Sequence, residues 1–318
     1  MVNKKDVLFL EPVFQERIWG GTKLADQFGY EIASELTGEC WAVSGHPNGQ
    51  STVKNGSFAG KLLGELYMED KEIFGNHQSD RFPLLTKILD ANQNLSVQVH
   101  PNDKYASENE NGEYGKTECW YVIDCEEDAE IIFGHTAETK KEFVERVKSG
   151  EWEELLTRVK VKPGDFFYVP SGTIHALCSG VLILETQQNS DTTYRVYDYD
   201  RTDKKGNTRE LHLQKSIDVS TIPHEPIDVV HKISKFKGAT VTKFVEAEYF
   251  TVYKWEVDGA YSSKHNKHFL IGSVIAGSGE LKVDERVHPL KKGDHFIIPS
   301  GVEEFTVVGR VELIISHP

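Results

Sequence analysis

Apolar and polar residues alternate in short runs along most of the chain, and turn signals cut the runs: HPNGQ at 46–50, KPGD at 162–165 and KKGD at 291–294. Alternation with a period of two sends every second side chain to one face, which marks a strand with one buried side. The chain is therefore predicted to be mainly β. Two stretches shift to helical spacing. Residues 60–73 place Leu62, Leu63, Leu66 and Tyr67 on one stripe, and residues 138–157 pair Phe143 with Val147, then Trp152 with Leu155 and Leu156, with Gly150 as a break. A third amphipathic piece near 209–219 precedes the loop TIPHEP, where Pro223 and Pro226 mark a linker.

The pattern also repeats. KPGDFFYVPSGTIHAL from Lys162 and KKGDHFIIPSGVEEFT from Lys291 align without a gap at an offset of 129 residues, with seven identities in the first eleven positions. Each copy reads as a Gly-Asp turn, a strand of aromatic and aliphatic residues and a Pro-Ser-Gly turn, which points to duplication. Two related β barrels are predicted, over residues 1–222 and 223–318, with a few short helices. The copies differ at one chemically important place, where His175 of the first corresponds to Glu304 of the second. A site that uses this histidine belongs to the N-terminal unit alone.

Composition narrows the function. The 318 residues carry 36 Lys and Arg against 50 Asp and Glu, a net charge of −14. That balance argues against a nucleic-acid or anionic-membrane binder, which needs a basic face. No stretch approaches the roughly 20 apolar residues of a membrane span. The opening MVNKKDVLFLEPVF is a poor signal peptide, because Glu11 and Pro12 break its apolar run. Cys40, Cys119, Cys125 and Cys178 form no CxxC pair. They read as free thiols of a cytoplasmic protein.

Candidate chemistry gathers in the first unit. In Leu95–His100 the alternation sets Ser96, Gln98 and His100 on one face against Leu95, Val97 and Val99 on the other. A polar face of this kind suits a barrel lumen. The next strand groups Lys116, Glu118 and Trp120, and His175 follows the repeated turn. Gln98, His100, Glu118 and His175 thus offer two imidazoles, a carboxylate and an amide oxygen, a donor set that zinc accepts and that iron or manganese also use. Taken singly, each has an ordinary alternative: a hydrogen-bonded structural histidine, or a strand carboxylate facing water. The strand 193–201 places Arg195, Tyr197, Tyr199 and Arg201 together, two guanidiniums suited to a phosphate. The alternative for Arg201 is surface pairing with Asp198, Asp200 or Asp203. His46, His135, His265 and His268 read as non-ligands.

These motifs are specific enough to resemble a family. Gly164-x5-Pro170-x-Gly172-x2-His175 matches the second cupin motif, and Gln98-x-His100 with Glu118 looks like a variant of the first. SVQVHPND at 96–103, GKTECWYV at 115–122, PSGTIHAL at 170–177 and DTTYRVYDYDR at 191–201 resemble type I mannose-6-phosphate isomerases of the short bacterial form. FQERIWGG at 14–21 and GECWAVSGHPNG at 38–49 extend the match over roughly residues 8–220. The resemblance implies double-sheet jelly rolls and one zinc ion on Gln98, His100, Glu118 and His175. It implies an active-site Arg195, and a sugar-phosphate pocket lined by Ser96, Lys87, Lys116 and Arg201. It further implies interconversion of mannose 6-phosphate and fructose 6-phosphate through an enediol, by a monomer or weak homodimer acting on a small sugar phosphate. The proton transfer needs a base. Lys116 serves if burial near zinc lowers its pKa; an acidic side chain and His100 are rivals. Two other readings stand beside the isomerase: an iron-dependent cupin dioxygenase, which usually presents a third histidine where Gln98 stands, and a sugar-binding cupin without turnover.

Overall fold

The computed structural model describes residues 4–202 and 206–318. The chain is mainly β, and its strands form three sheets. A seven-stranded sheet runs in the order Phe166–Val169, Glu118–Cys125, Val181–Gln188, Leu84–Ala91, Thr37–His46 and Val13–Gly21, with Gly49–Gln50 added at Thr37–His46. A five-stranded sheet orders Leu156–Lys160, Glu130–His135, His175–Leu177, Val97–Val99 and Tyr194–Tyr197. These two sheets face one another, because Leu89, Trp120 and Ile183 of the first share a core with Ile131 and Leu177 of the second. The nine-stranded sheet is built chiefly from the C-terminal part of the chain, from Lys232–Phe236 to Glu304–His317. No closed barrel forms among the described residues, so the observed fold is coarser than the expected pair of barrels.

The N-terminal strand Leu8–Glu11 departs from the order expected along the sequence. It pairs with His295–Pro299 and therefore belongs to the nine-stranded sheet. One aromatic core also spans the two parts of the chain: Tyr67, Phe74 and Phe82 pack with Phe244, Phe250 and Phe269. Phe74, Phe82 and Phe269 are fully buried, with ring centroids 5.3–5.9 Å apart. Phe82→Ala is expected to lower stability by about 3–5 kcal/mol, the usual cost of deleting a buried ring. The urea unfolding curve checks this, and an unmoved midpoint would deny the cluster its role in joining the two parts.

The helices follow local signals where such signals exist. Thr139 accepts from the Glu142 amide at 3.2 Å, Glu142 accepts from the Glu138 amide at 3.0 Å, and the helix Lys140–Ser149 ends at Gly150 with φ +73°. A capped start and a left-handed glycine stop are the standard boundaries. Trp152–Leu155 continues beyond the break as a separate turn. The helix expected at 60–73 is Leu63–Glu69, and the one near 209–219 is Leu213–Val219. Lys23–Phe28 and Asp103–Asn109 are helices that the pattern did not predict. None of the described helices is long and apolar enough to cross a membrane. All four cysteines are free thiols, and three of them are buried.

The two repeats adopt the same turn. Asp165 accepts from the Lys162 amide at 2.9 Å and Asp294 from the Lys291 amide at 2.8 Å. Gly164 and Gly293 have φ of +95° and +90°, values that an L side chain rarely tolerates. Each turn then docks on a valine of a neighbouring strand, Val122 in the first copy and Val274 in the second. The sequence duplication is thus repeated in backbone geometry.

Candidate active site

Strand register assembles the site. His175 stands opposite Gln98, and Gln98 stands opposite Arg195, so the three form a row across the five-stranded sheet. Residues directly opposite each other in an antiparallel pair share a face. Val97 and Val99 point the other way, into a core with Phe143, Val147 and Ile217. From the facing sheet, Glu118 stands opposite Gln187, and the next row aligns Trp120, Glu185, Lys87 and Trp41.

His100, Glu118 and His175 converge with one potential ligand atom each, all within 4.8 Å of one another, and all three residues are buried. Both Glu118 oxygens lie 3.4 Å from an imidazole, Oε2 from His100 Nε2 and Oε1 from His175 Nε2. The histidines are held by main-chain carbonyls on their far sides: His100 Nδ1–H donates to Thr192 O at 2.9 Å and His175 Nδ1–H to Thr173 O at 2.8 Å. That arrangement fixes the tautomer and turns both Nε2 lone pairs inward, as metal-binding histidines require. Burial, then the Lys116 ammonium, hold the His175 pKa down to about 4 and that of His100 well below its ordinary value. Both rings are therefore neutral at pH 7. The buried Glu118 Oε1 has no hydrogen-bond partner, a costly state that a cation would relieve. The donor set and its orientation fit a divalent metal ion.

Gln98 is beside the centre. Its amide nitrogen lies 3.3 Å from His175 Nε2, so the amide donates to a ligand atom, and its oxygen would reach a metal after an amide flip. Lys116 is buried, with Nζ 2.7 Å from Glu118 Oε2 and 3.0 Å from His100 Nε2. Burial alone would lower its pKa, but the carboxylates of Glu118 and Glu185 outweigh burial and raise it. The direction is opposite to the one expected from the sequence. Lys87 lies 3.7 Å from Glu185, 3.9 Å from Glu39 and 5.0 Å from the Trp41 ring centroid. Ser96 is buried two residues before Gln98.

The arginines occupy the far side. Arg195 Nη1 donates to Glu210 O at 2.7 Å, and its buried Nε has no partner among the protein atoms. Arg201 donates to Asp198 Oδ1 at 2.5 Å and to Asn94 O at 2.6 Å, so the expected pairing with Asp198 forms; Asp203 lies outside the described residues. Arg209 shares Asp198 at 2.5 Å and was not anticipated.

Sequence reasoning also missed Glu185 and Glu39. Glu185 accepts from Trp120 Nε1 at 3.0 Å, and burial followed by the nearby Glu118 charge raises its pKa. Alternation along Val181–Gln188 does align Glu185 with Gln187, a usable signal in retrospect. Of the histidines read as non-ligands, His46 and His135 are buried at strand ends outside this cluster. A cleft of about 570 Å³ between Arg81, Glu113, Asp103 and Tyr249 has none of the three converging residues in its walls.

Comparison with known proteins agrees with this geometry. Residues 7–123 match the family described as phosphomannose isomerase type I, catalytic domain, and residues 240–318 match mannose-6-phosphate isomerase, cupin domain. The chain is 58% identical to the putative mannose-6-phosphate isomerase YvyI and 58% identical to the mannose-6-phosphate isomerase ManA, both of Bacillus subtilis, over 98% of each chain. The crystal structure of a mannose 6-phosphate isomerase from Bacillus subtilis superposes with a TM-score of 0.96 at 58% identity, covering 98% of this chain and 99% of that one. On the inward-facing site, the two matched regions and identity sustained along nearly its whole length, the chain belongs to the type I mannose-6-phosphate isomerase family, with a cupin fold.

Proposed function

We propose that this enzyme interconverts mannose 6-phosphate and fructose 6-phosphate through an enediol, with one zinc ion held by His100, Glu118 and His175 and with Gln98 at its edge. The observation that carries this reading is the inward convergence of two locked imidazoles on a buried carboxylate whose Oε1 has no hydrogen-bond partner. We read the fold as two jelly rolls divided near residue 222, the first of which contains the site.

Moving a proton between C1 and C2 needs a base beside the sugar and positive charge where the enediolate forms. Zinc, when bound, supplies Lewis acidity towards the sugar oxygens. His100 has no nitrogen left for proton transfer, because Nδ1 is bonded to Thr192 O and Nε2 faces the ligand cluster. Lys116, whose Nζ faces the same centre, is the base in this reading; a cation held by Glu118 would offset the carboxylate charge that raises the lysine pKa. Arg195 stabilises the developing negative charge. Lys87, Ser96 and Arg201 line the sugar-phosphate pocket, and Arg201 reaches the phosphate by releasing Asp198 or Asn94 O.

A coupled assay that follows fructose 6-phosphate from mannose 6-phosphate tests the proposal, together with elemental analysis of the purified chain. Turnover is expected with one zinc per chain, to disappear on dialysis against a chelator and to return with zinc. Bound iron with oxygen consumption would instead support a dioxygenase, and binding without turnover a sugar-binding cupin.

A further inference from the structure

We propose that Tyr249, from the C-terminal part of the chain, is a positioning residue for the active site: through Asp103 and Gln188 it fixes the backbone on both sides of Lys116. The consequence for turnover rests on the isomerase reading above; the brace itself does not.

The connection is continuous. Tyr249 lies between the strands Ala239–Glu246 and Thr251–Lys264 of the nine-stranded sheet, and its hydroxyl donates to Asp103 Oδ2 at 2.8 Å. Asp103 Oδ1 accepts from the Gly115 amide at 2.7 Å and from Gln188 Nε2 at 3.0 Å. Gln188 in turn accepts from the Thr117 amide at 2.9 Å, while its own amide donates to Thr117 O at 3.1 Å. Lys116 is the residue between these two anchored neighbours, and its amide donates to Pro101 O at 2.9 Å.

Packing makes the unit stiff. A Cβ on Gly115 would lie 2.4 Å from Asp103 N and 2.5 Å from Asn102 C, so the segments around 102 and 115 touch backbone to backbone. A shift of the Asp103 carboxylate is therefore passed to Lys116 rather than absorbed. Hydrogen bonds to a carboxylate are about twice as strong as neutral ones. Tyr249 supplies the one that comes from the second repeat unit, which carries Glu304 where the first has its ligand histidine. Contact with the first unit's site is thus a role for the second.

Tyr249→Phe keeps the ring and removes the hydroxyl. The kcat is expected to fall about 10-fold, the lower range for losing an outer support of a metal site, with KM changed less than about twofold. In the metal-free protein, amide exchange at Gly115 and Thr117 should quicken. A role limited to stability would lower the thermal midpoint, quicken exchange at the core strands as well, and leave kcat unchanged. Asp103→Asn should show the same pattern, and the double variant should lose less than the two effects combined. Wild-type kcat in Tyr249→Phe overturns the proposal, as does wild-type exchange. If the chain does not isomerise mannose 6-phosphate at all, the isomerase reading fails and exchange alone decides the brace.

Discussion

Glu118→Gln is expected to leave the purified protein without stoichiometric metal and to lower kcat/KM by about 10³-fold or more, since Lewis-acid stabilisation contributes several kcal/mol and each 1.36 kcal/mol is one decade. The substitution keeps the shape and removes the charge. Glu118 is the one acidic member of the cluster, with each oxygen directed at an imidazole nitrogen 3.4 Å away. The change also takes from Lys116 its 2.7 Å partner in a fully buried setting. Breaking a buried pair on one side costs about 3–5 kcal/mol, so the variant should also unfold more easily. Elemental analysis and the coupled assay read the first effect, and urea unfolding reads the second. Glu304→Gln is the control: that residue stands in the second repeat where the first has His175, is exposed and pairs with Lys264 at 3.4 Å. It should retain both metal and rate. Full metal content in Glu118→Gln would remove the carboxylate from the ligand set.

The converging residues His100, Glu118 and His175 were legible in the sequence because they lie on or beside strands with one apolar and one polar face. Val97 and Val99 pack against the helices, while on the other face Gln98 meets His175 and His100 meets Lys116. Glu39 and Glu185 were hidden by the reverse condition. Their strands, Thr37–His46 and Val181–Gln188, are buried at every position and mix polar with apolar residues on both faces, so no contrast between a wet and a dry face marks the two glutamates. The rise in the Lys116 pKa depends partly on Glu185, which register brings close from a strand 69 residues further along the chain. No local pattern contains that proximity.

Fold features divided in the same way. The Gly-Asp turns were readable, because their backbone conformation restricts residue choice wherever it occurs. Lys140–Ser149 announced itself by a threonine cap and a glycine stop. Lys23–Phe28 and Asp103–Asn109 span only six and seven residues and bury two and one of them, too little to establish a helical period. Leu8–Glu11 pairs with His295–Pro299, almost a full chain length away, and neither strand names its partner.

Arg195→Ala is expected to lower kcat by about 10²- to 10³-fold, the range found when one preorganised donor to a developing oxyanion is removed. Metal content should stay at the wild-type level. Arg195 stands in the row with Gln98 and His175, its backbone two strand spacings or about 10 Å from that of the histidine, outside the His100, Glu118 and His175 cluster. Its backbone is clamped to His212, with amide bonds of 3.1 Å and 2.8 Å in the two directions. The guanidinium is left with a buried Nε that has no protein partner, and a buried donor in that state costs about 1–3 kcal/mol until something accepts from it. Burial, then the neighbouring Arg209, lowers its pKa. An anionic sugar phosphate would satisfy the free donor and the charge together, although the whole chain carries −14. Arg195→Lys should recover only part of the rate, because an ammonium keeps the charge and loses the fork. Near-normal turnover in Arg195→Ala would take the arginine out of the reaction. Loss of metal in that variant would make it a support of the metal centre instead, and kcat measured beside elemental analysis separates the two outcomes.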